Sequence, residues 1–138
     1  MSKEKDKKKA TLWLETAISD IDTAKLLSNN SRFAHSCFFS HQAVEKAVKA
    51  LWYFNDEEPW GHSILKLIAD LKYVNADIYE KLKYFLKGAK YLDKHYIPTR
   101  YPNGLPDITP DMAYDEDDAR TCIDRAEDIL RVIKEILT

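Results

Sequence analysis

The chain has 138 residues, 45% of them hydrophobic, which is enough for one compact core and too little for two comfortable domains. Its 21 basic and 23 acidic side chains leave a formal net charge of -2. That balance excludes a nucleic-acid binder whose affinity comes from a broad basic field, and leaves room for a local basic site.

No apolar run approaches the ~18 residues of a membrane span, and the opening MSKEKDKKKA lacks the apolar centre of a signal peptide. The expectation is a cytoplasmic protein with no membrane association. Residues 1–9, rich in lysine and without apolar periodicity, read as a flexible, solvated tail that frays into the first helix. A single helical domain is expected over residues 10–138.

Leu14, Ala17, Ile21, Ala24 and Leu27 then recur at three- and four-residue spacing, on one side of a helix. The SNNSR stretch ends that helix and offers Ser31 as a cap for the next. In the second helix Ala34, Cys37, His41, Val44, Val48 and Leu51 keep the same stepping, with Ala43, Ala47 and Ala50 as a small-residue strip beside them. Small side chains allow close approach of another helix, so the second helix is expected at the centre. NDEEPWGHS breaks the chain, and Ser63 caps a short helix through Leu71. Asn75 caps a fourth helix carrying Ile78, Leu82, Phe85, Ala89, Leu92 and Tyr96, which Pro98 must end. A long loop follows to about Tyr114; loops of this length are more often functional than accidental. DEDD then opens the last helix with acidic groups that complement its dipole, and Ala119, Cys122, Ala126, Ile129, Ile133 and Ile136 line its inner face. No segment alternates with the period of a strand. The fold class is therefore all-α, a mostly antiparallel bundle of four main helices plus a short additional one.

The candidate chemistry is narrow. Cys37 and Cys122 have no metal-ligand spacing and fall on apolar faces, as buried reduced thiols do. His41 and Glu45 share a helical face, but a metal needs three or four converging ligands, and a hydrogen-bonded core histidine is the better reading of His41. No metal and no cofactor is expected. Phosphate-binding glycine loops and nucleophile elbows are absent. What remains is the polar group around YIPTRYPNG: Lys94, His95 and Arg100 beside Tyr96 and Tyr101. An arginine fork can hold a phosphate, a tyrosine can stack on a base and a histidine can move a proton, which suits a nucleotide or RNA site. The competing reading is structural: the tyrosines cover the bundle end and Arg100 pairs with a loop aspartate. On the second helix Gln42, Glu45, Lys46 and Lys49 form a polar strip flanked by Trp52, which is a solvated face or one turned to a ligand or partner subunit.

Taken in order, FFSHQAVEKAVKALW, GHSILKLI, YLDKHYIPTRYPNG and YDEDDARTCIDRAEDIL resemble the HEPN domain family, the higher eukaryotes and prokaryotes nucleotide-binding domain, over Leu12 to Leu137. The resemblance implies a helical bundle that usually forms a homodimer and often works with a small nucleotidyltransferase. Many members are toxin-like ribonucleases, whose catalytic arginine is followed after four to six residues by a histidine. Here no histidine follows Arg100, and Arg32 has none at that spacing; His95 precedes Arg100 by five residues, in reverse order. The resemblance therefore points to a non-catalytic module that binds a nucleotide or partners a nucleotidyltransferase in a toxin-antitoxin-like pair. Arg100, Tyr101, His95, Tyr96, Lys49, Lys46 and Gln42 are the candidate contacts. The alternative is a metal-independent ribonuclease using His95 for proton transfer and Arg100 to hold the phosphate.

Overall fold

The computed structural model describes residues 3–138, which are all helical apart from their turns and loops. Three long helices form the frame: α1 (Lys3–Asn29), α2 (Phe33–Phe54) and α7 (Glu116–Leu137). Between α2 and α7 run α3 (Ile64–Asp70), α4 (Ala76–Leu82), α5 (Leu86–Asp93) and the single-turn α6 (Pro110–Ala113), with 3-10 turns at Leu71–Tyr73 and Lys83–Phe85.

α1 and α2 form an antiparallel hairpin. Its register is read from contacts along its length: Ser36 Oγ donates to the Ala24 carbonyl, Lys46 pairs with Asp20, and Lys3 Nζ donates to the Phe54 carbonyl. Both facing surfaces are rich in alanine. Ala10, Ala17 and Ala24 on α1 and Ala43, Ala47 and Ala50 on α2 are all buried, and these small side chains let the two backbones run close together. α7 covers the other side of α2 and also touches α1. Cys37 and Cys122 are both buried and free in that core. α2, with twelve buried residues, is the centre its stepping predicts.

Four details differ from the sequence reading. The lysine-rich stretch expected as a tail is helical from Lys3, with Lys9 lying over the Tyr53 ring 4.1 Å from its centroid; Met1 and Ser2 lie outside the described residues. Ser31 does not cap α2. It adopts a left-handed backbone at φ +61°, and Arg32 takes the cap position without a side-chain hydrogen bond. The expected fourth helix is delivered as α4 and α5, joined by a 3-10 turn at Lys83–Phe85 that contains neither proline nor glycine, so apolar stepping reads straight through it. Its end comes at Asp93, and a run of turns carries the chain from Lys94 to Pro98.

The other caps follow the residue types. Ser63 and Asn75 accept from the amides three residues on. Asp115 and Asp118 form a reciprocal capping box at the start of α7, which is what the DEDD run supplies.

Candidate phosphate-binding site around Arg100

The turns after α5 place Arg100 by its own backbone. Its Nε and Nη2 both donate to the Tyr96 carbonyl, at 2.9 and 2.8 Å, because a turn of four residues brings that oxygen under the guanidinium fork. Three aromatic rings hold the plane: Phe38 of α2, Tyr96 and Tyr101, with centroids 4.5, 4.4 and 5.2 Å from Arg100 Cζ. Among the described residues Arg100 makes no ion pair with an aspartate of the loop, so the structural reading by that route does not hold. Its Nη1 has no hydrogen-bond partner among them either. Beside it opens a groove of about 330 Å³ lined by His35, Thr99, Arg100, Thr109, Pro110 and Asp111.

Tyr96 links this arginine to a second polar cluster. Its ring stacks on His62 (5.2 Å, 18°) and lies 4.9 Å from His41. His62 is 60% exposed at its side chain, and its Nδ1 lies 3.0 Å from Oε2 of Glu45, which is only 5% exposed. Lys49 Nζ donates to the same oxygen at 2.9 Å. Glu45 Oε1 is buried without a hydrogen-bond partner and lies 3.8 Å from His41 Nδ1.

His41 is the hydrogen-bonded core histidine its stripe position predicts. Its Nε2 lies 2.9 Å from Asp93 Oδ1, and Gln42 Oε1 is 3.4 Å from its Nδ1. Asp93 also accepts from the Ser63 hydroxyl and from the amides of Ile64 and Leu65, so one carboxylate at the end of α5 ties α2 to the start of α3. Burial alone would raise the pKa of Asp93. The hydrogen bonds from His41, Leu65, Ile64 and Ser63 outweigh it and hold the carboxyl below its ordinary range.

The sequence-predicted residues divide into three groups. Arg100, Tyr96 and Tyr101 are brought together. Gln42 and Lys49 border the histidine cluster, while Lys46 turns to the other side of α2 and binds Asp20 of α1. His95 faces the core: its Nδ1 is 2.7 Å from the Tyr114 hydroxyl, its ring packs edge-on against Tyr91, and its Nε2 is buried and unpartnered. Burial pushes its pKa down. No hydrogen bond or ring contact joins His95 to Arg100. The polar strip on α2 is neither free nor simply solvated, since Glu45, Lys46 and Lys49 are each paired and Trp52 donates to the Leu67 carbonyl. His62, Glu45, Asp93 and Phe38 belong to the site but are not among the expected contacts. No spacing rule connects positions 38, 45, 62 and 93; only their presence in the family-like segments marks them.

Among the described residues no group of three or more His, Cys, Asp or Glu side chains is arranged to hold a metal ion, and no helix is long and apolar enough to cross a membrane.

Comparison with known proteins agrees with this architecture. The protein called "Putative toxin MJ1304" of Methanocaldococcus jannaschii is 30% identical over 135 residues, covering 94% of this chain and 89% of that one. Among solved structures, TT1696 from Thermus thermophilus superposes with a TM-score of 0.81 at 36% identity, over 92% of this chain and 97% of that one. ST0689, an archaeal HEPN homologue, does so with a TM-score of 0.74 at 35% identity, over 94% and 98%. The family model for the HEPN domain matches residues 10–136. With nearly its whole length matched by that model, the chain belongs to the HEPN domain family.

Proposed function

We propose that this HEPN protein is a binding module: it takes the phosphate of a nucleotide or RNA at Arg100, assembles as a homodimer, and partners a small nucleotidyltransferase in a toxin-antitoxin-like pair. The observation that carries the reading is the state of Arg100. Its fork is fixed by the Tyr96 carbonyl and three rings, its remaining nitrogen is unused among the described residues, and it borders an open groove. An arginine already ordered loses little freedom when it meets a phosphate, and it offers directional donors where they are needed. Thr99 and Thr109 border the same groove. Ile97, Tyr101 and Met112 leave exposed apolar surface nearby, which a second copy or a transferase would cover. The name of the archaeal relative supports the toxin-antitoxin setting.

The ribonuclease alternative draws no support from His95, whose ring is turned to Tyr91 and Tyr114. The test is titration calorimetry with ATP, GTP, AMP and a single-stranded oligoribonucleotide, on the wild type and on Arg100→Ala and Arg100→Lys. Binding to at least one of them is expected, weakened roughly tenfold or more in both variants, because lysine cannot keep two donors on the Tyr96 carbonyl while meeting a phosphate. No binding by the wild type, or equal binding by Arg100→Ala, would refute the site. RNA cleavage by the wild type in excess EDTA would show that the module is a catalyst instead.

A further inference from the structure

We infer that the groove beside Arg100 selects its ligand by base: Asp111 reads guanine, so that the site takes a guanine mononucleotide in preference to the other three. This rests on the Arg100 reading above and names the ligand of that same site.

The argument starts from what the groove leaves unspent. Arg100 reaches it from the turns after α5, His35 from α2 and Asp111 from α6. Both hydrogen bonds of the Arg100 fork go to the Tyr96 carbonyl, through Nε and Nη2, and Nη1 is unused among the described residues. The Asp111 carboxylate and the His35 ring are exposed, and neither makes a side-chain hydrogen bond, ion pair or ring contact among those residues. The two threonines of the lining are engaged. Thr99 Oγ donates to the His95 carbonyl, and Thr109 Oγ accepts from the Met112 amide as the cap of α6. A guanidinium and a carboxylate that line one groove without pairing suit a ligand that is anionic at one end and rich in donors at the other. A bare phosphate satisfies the first and is repelled by the second.

Size narrows the ligand. The groove holds about 330 Å³, at the lower end of the ~300–1,000 Å³ of small-molecule sites, which suits one nucleotide rather than a strand. With the phosphate on Arg100, the base is the part left for His35 and Asp111. The His35 ring, without an aromatic partner of its own, offers a face for stacking. An ionised carboxylate can only accept. Of the four bases guanine alone sets two donors side by side, its ring N1 hydrogen and its 2-amino group, where the two oxygens of one carboxylate meet both. Adenine and cytosine place a ring acceptor beside their amino group, and uracil flanks its one donor with two carbonyls. Each of those three turns a lone pair toward Asp111. A site built to hydrogen-bond one pattern discriminates against ligands lacking it, because its own polar groups are then left unpaired.

The experiment compares Kd values for GMP, AMP, CMP and UMP, for IMP, which lacks the 2-amino group, and for XMP, which has a carbonyl in its place. It is run on the wild type, Asp111→Ala, Asp111→Asn, His35→Ala and Arg100→Ala. Each variant's fold is checked by its far-UV spectrum and urea midpoint. The wild type should bind GMP about tenfold tighter than AMP, CMP and UMP, the worth of one charge-assisted hydrogen bond at an open site, with IMP in between. Asp111→Ala should bring those ratios to about one while Arg100→Ala weakens every ligand. Asp111→Asn presents one acceptor and one donor and should move the preference from GMP to XMP, a gain that a structural role for Asp111 would not give. His35→Ala should weaken all the mononucleotides alike and keep their order. Equal Kd values for GMP and AMP with Arg100-dependent binding, or a guanine preference that survives Asp111→Ala, would overturn this inference alone. So would uniform tightening in Asp111→Ala, the mark of a carboxylate that only repels phosphate. Absence of binding to every mononucleotide would overturn it too, and the Arg100 reading with it if the oligoribonucleotide also fails to bind.

Discussion

Replacing Asp93 should be among the most damaging single changes in the molecule. Its carboxylate accepts four hydrogen bonds, from His41 Nε2 at 2.9 Å, Ser63 Oγ at 2.9 Å, and the amides of Ile64 and Leu65 at 2.8 and 3.0 Å. Asp93→Ala leaves the fully buried His41 without its partner and two first-turn amides of α3 without an acceptor. A stranded buried donor costs about 1–3 kcal/mol and loss of a helix cap about 1 kcal/mol. Together these give a loss of about 3–5 kcal/mol, a large share of the total stability of a domain this size. Asp93→Asn retains one acceptor oxygen and should lose roughly half as much. Urea unfolding followed by circular dichroism measures both, provided the slope is unchanged. The wild type should also show the signature of a depressed carboxylate. Its contribution is fully present above the unfolded value, near pH 3.9, and is lost as the pH falls through the lower folded value. That acid-side loss should vanish in Asp93→Asn. A cost below about 1 kcal/mol for Asp93→Ala would refute the view that this carboxylate joins α5, α2 and α3.

Three further outcomes are expected. Ala47→Leu, placed on the fully buried alanine strip of α2, should destabilise by about 1–3 kcal/mol through overpacking, read as a shift in urea midpoint; a neutral result would mean α1 is not closely seated there. His95 has its pKa lowered by burial, so stability should fall as the pH drops below its unfolded value of about 6.5 and on through the folded one; His95→Gln should flatten the urea midpoint measured between pH 7.5 and 5. The Cys37 thiol, beside Cys122 and buried, has its pKa raised, so iodoacetamide at pH 8 should leave both cysteines unlabelled in the folded protein and modify both in urea, as mass spectrometry would show.

The sequence by itself determined the all-helical class and the inner faces of the long helices, though not the division into α4 and α5 or the single turn α6 inside the expected loop. Stepping by three and four residues is a local property, set by 3.6 residues per turn, and it identifies the buried rows of α1, α2 and α7. Caps are local too: Ser63, Asn75 and the Asp115 and Asp118 pair act within three residues of themselves. The lysine-rich start departs from its expectation because residues 3–9 take support from Phe54 and Tyr53 on α2, about fifty positions away, which periodicity does not register. Ser31 departs from its own because the tight turn between α1 and α2 demands a left-handed backbone there, a requirement of hairpin closure rather than of cap chemistry. The site itself is half legible. Arg100, Tyr96 and Tyr101 are neighbours in the chain and group together on that ground. The difference between His95 and His62 was decided by tertiary structure alone. Burial sends the first against Tyr114, and a buried carboxylate seventeen residues upstream holds the second, still largely exposed, beside Tyr96. Which side of a helix end faces water, and which distant carboxylate a histidine meets, depend on how whole helices pack, and no local pattern encodes that.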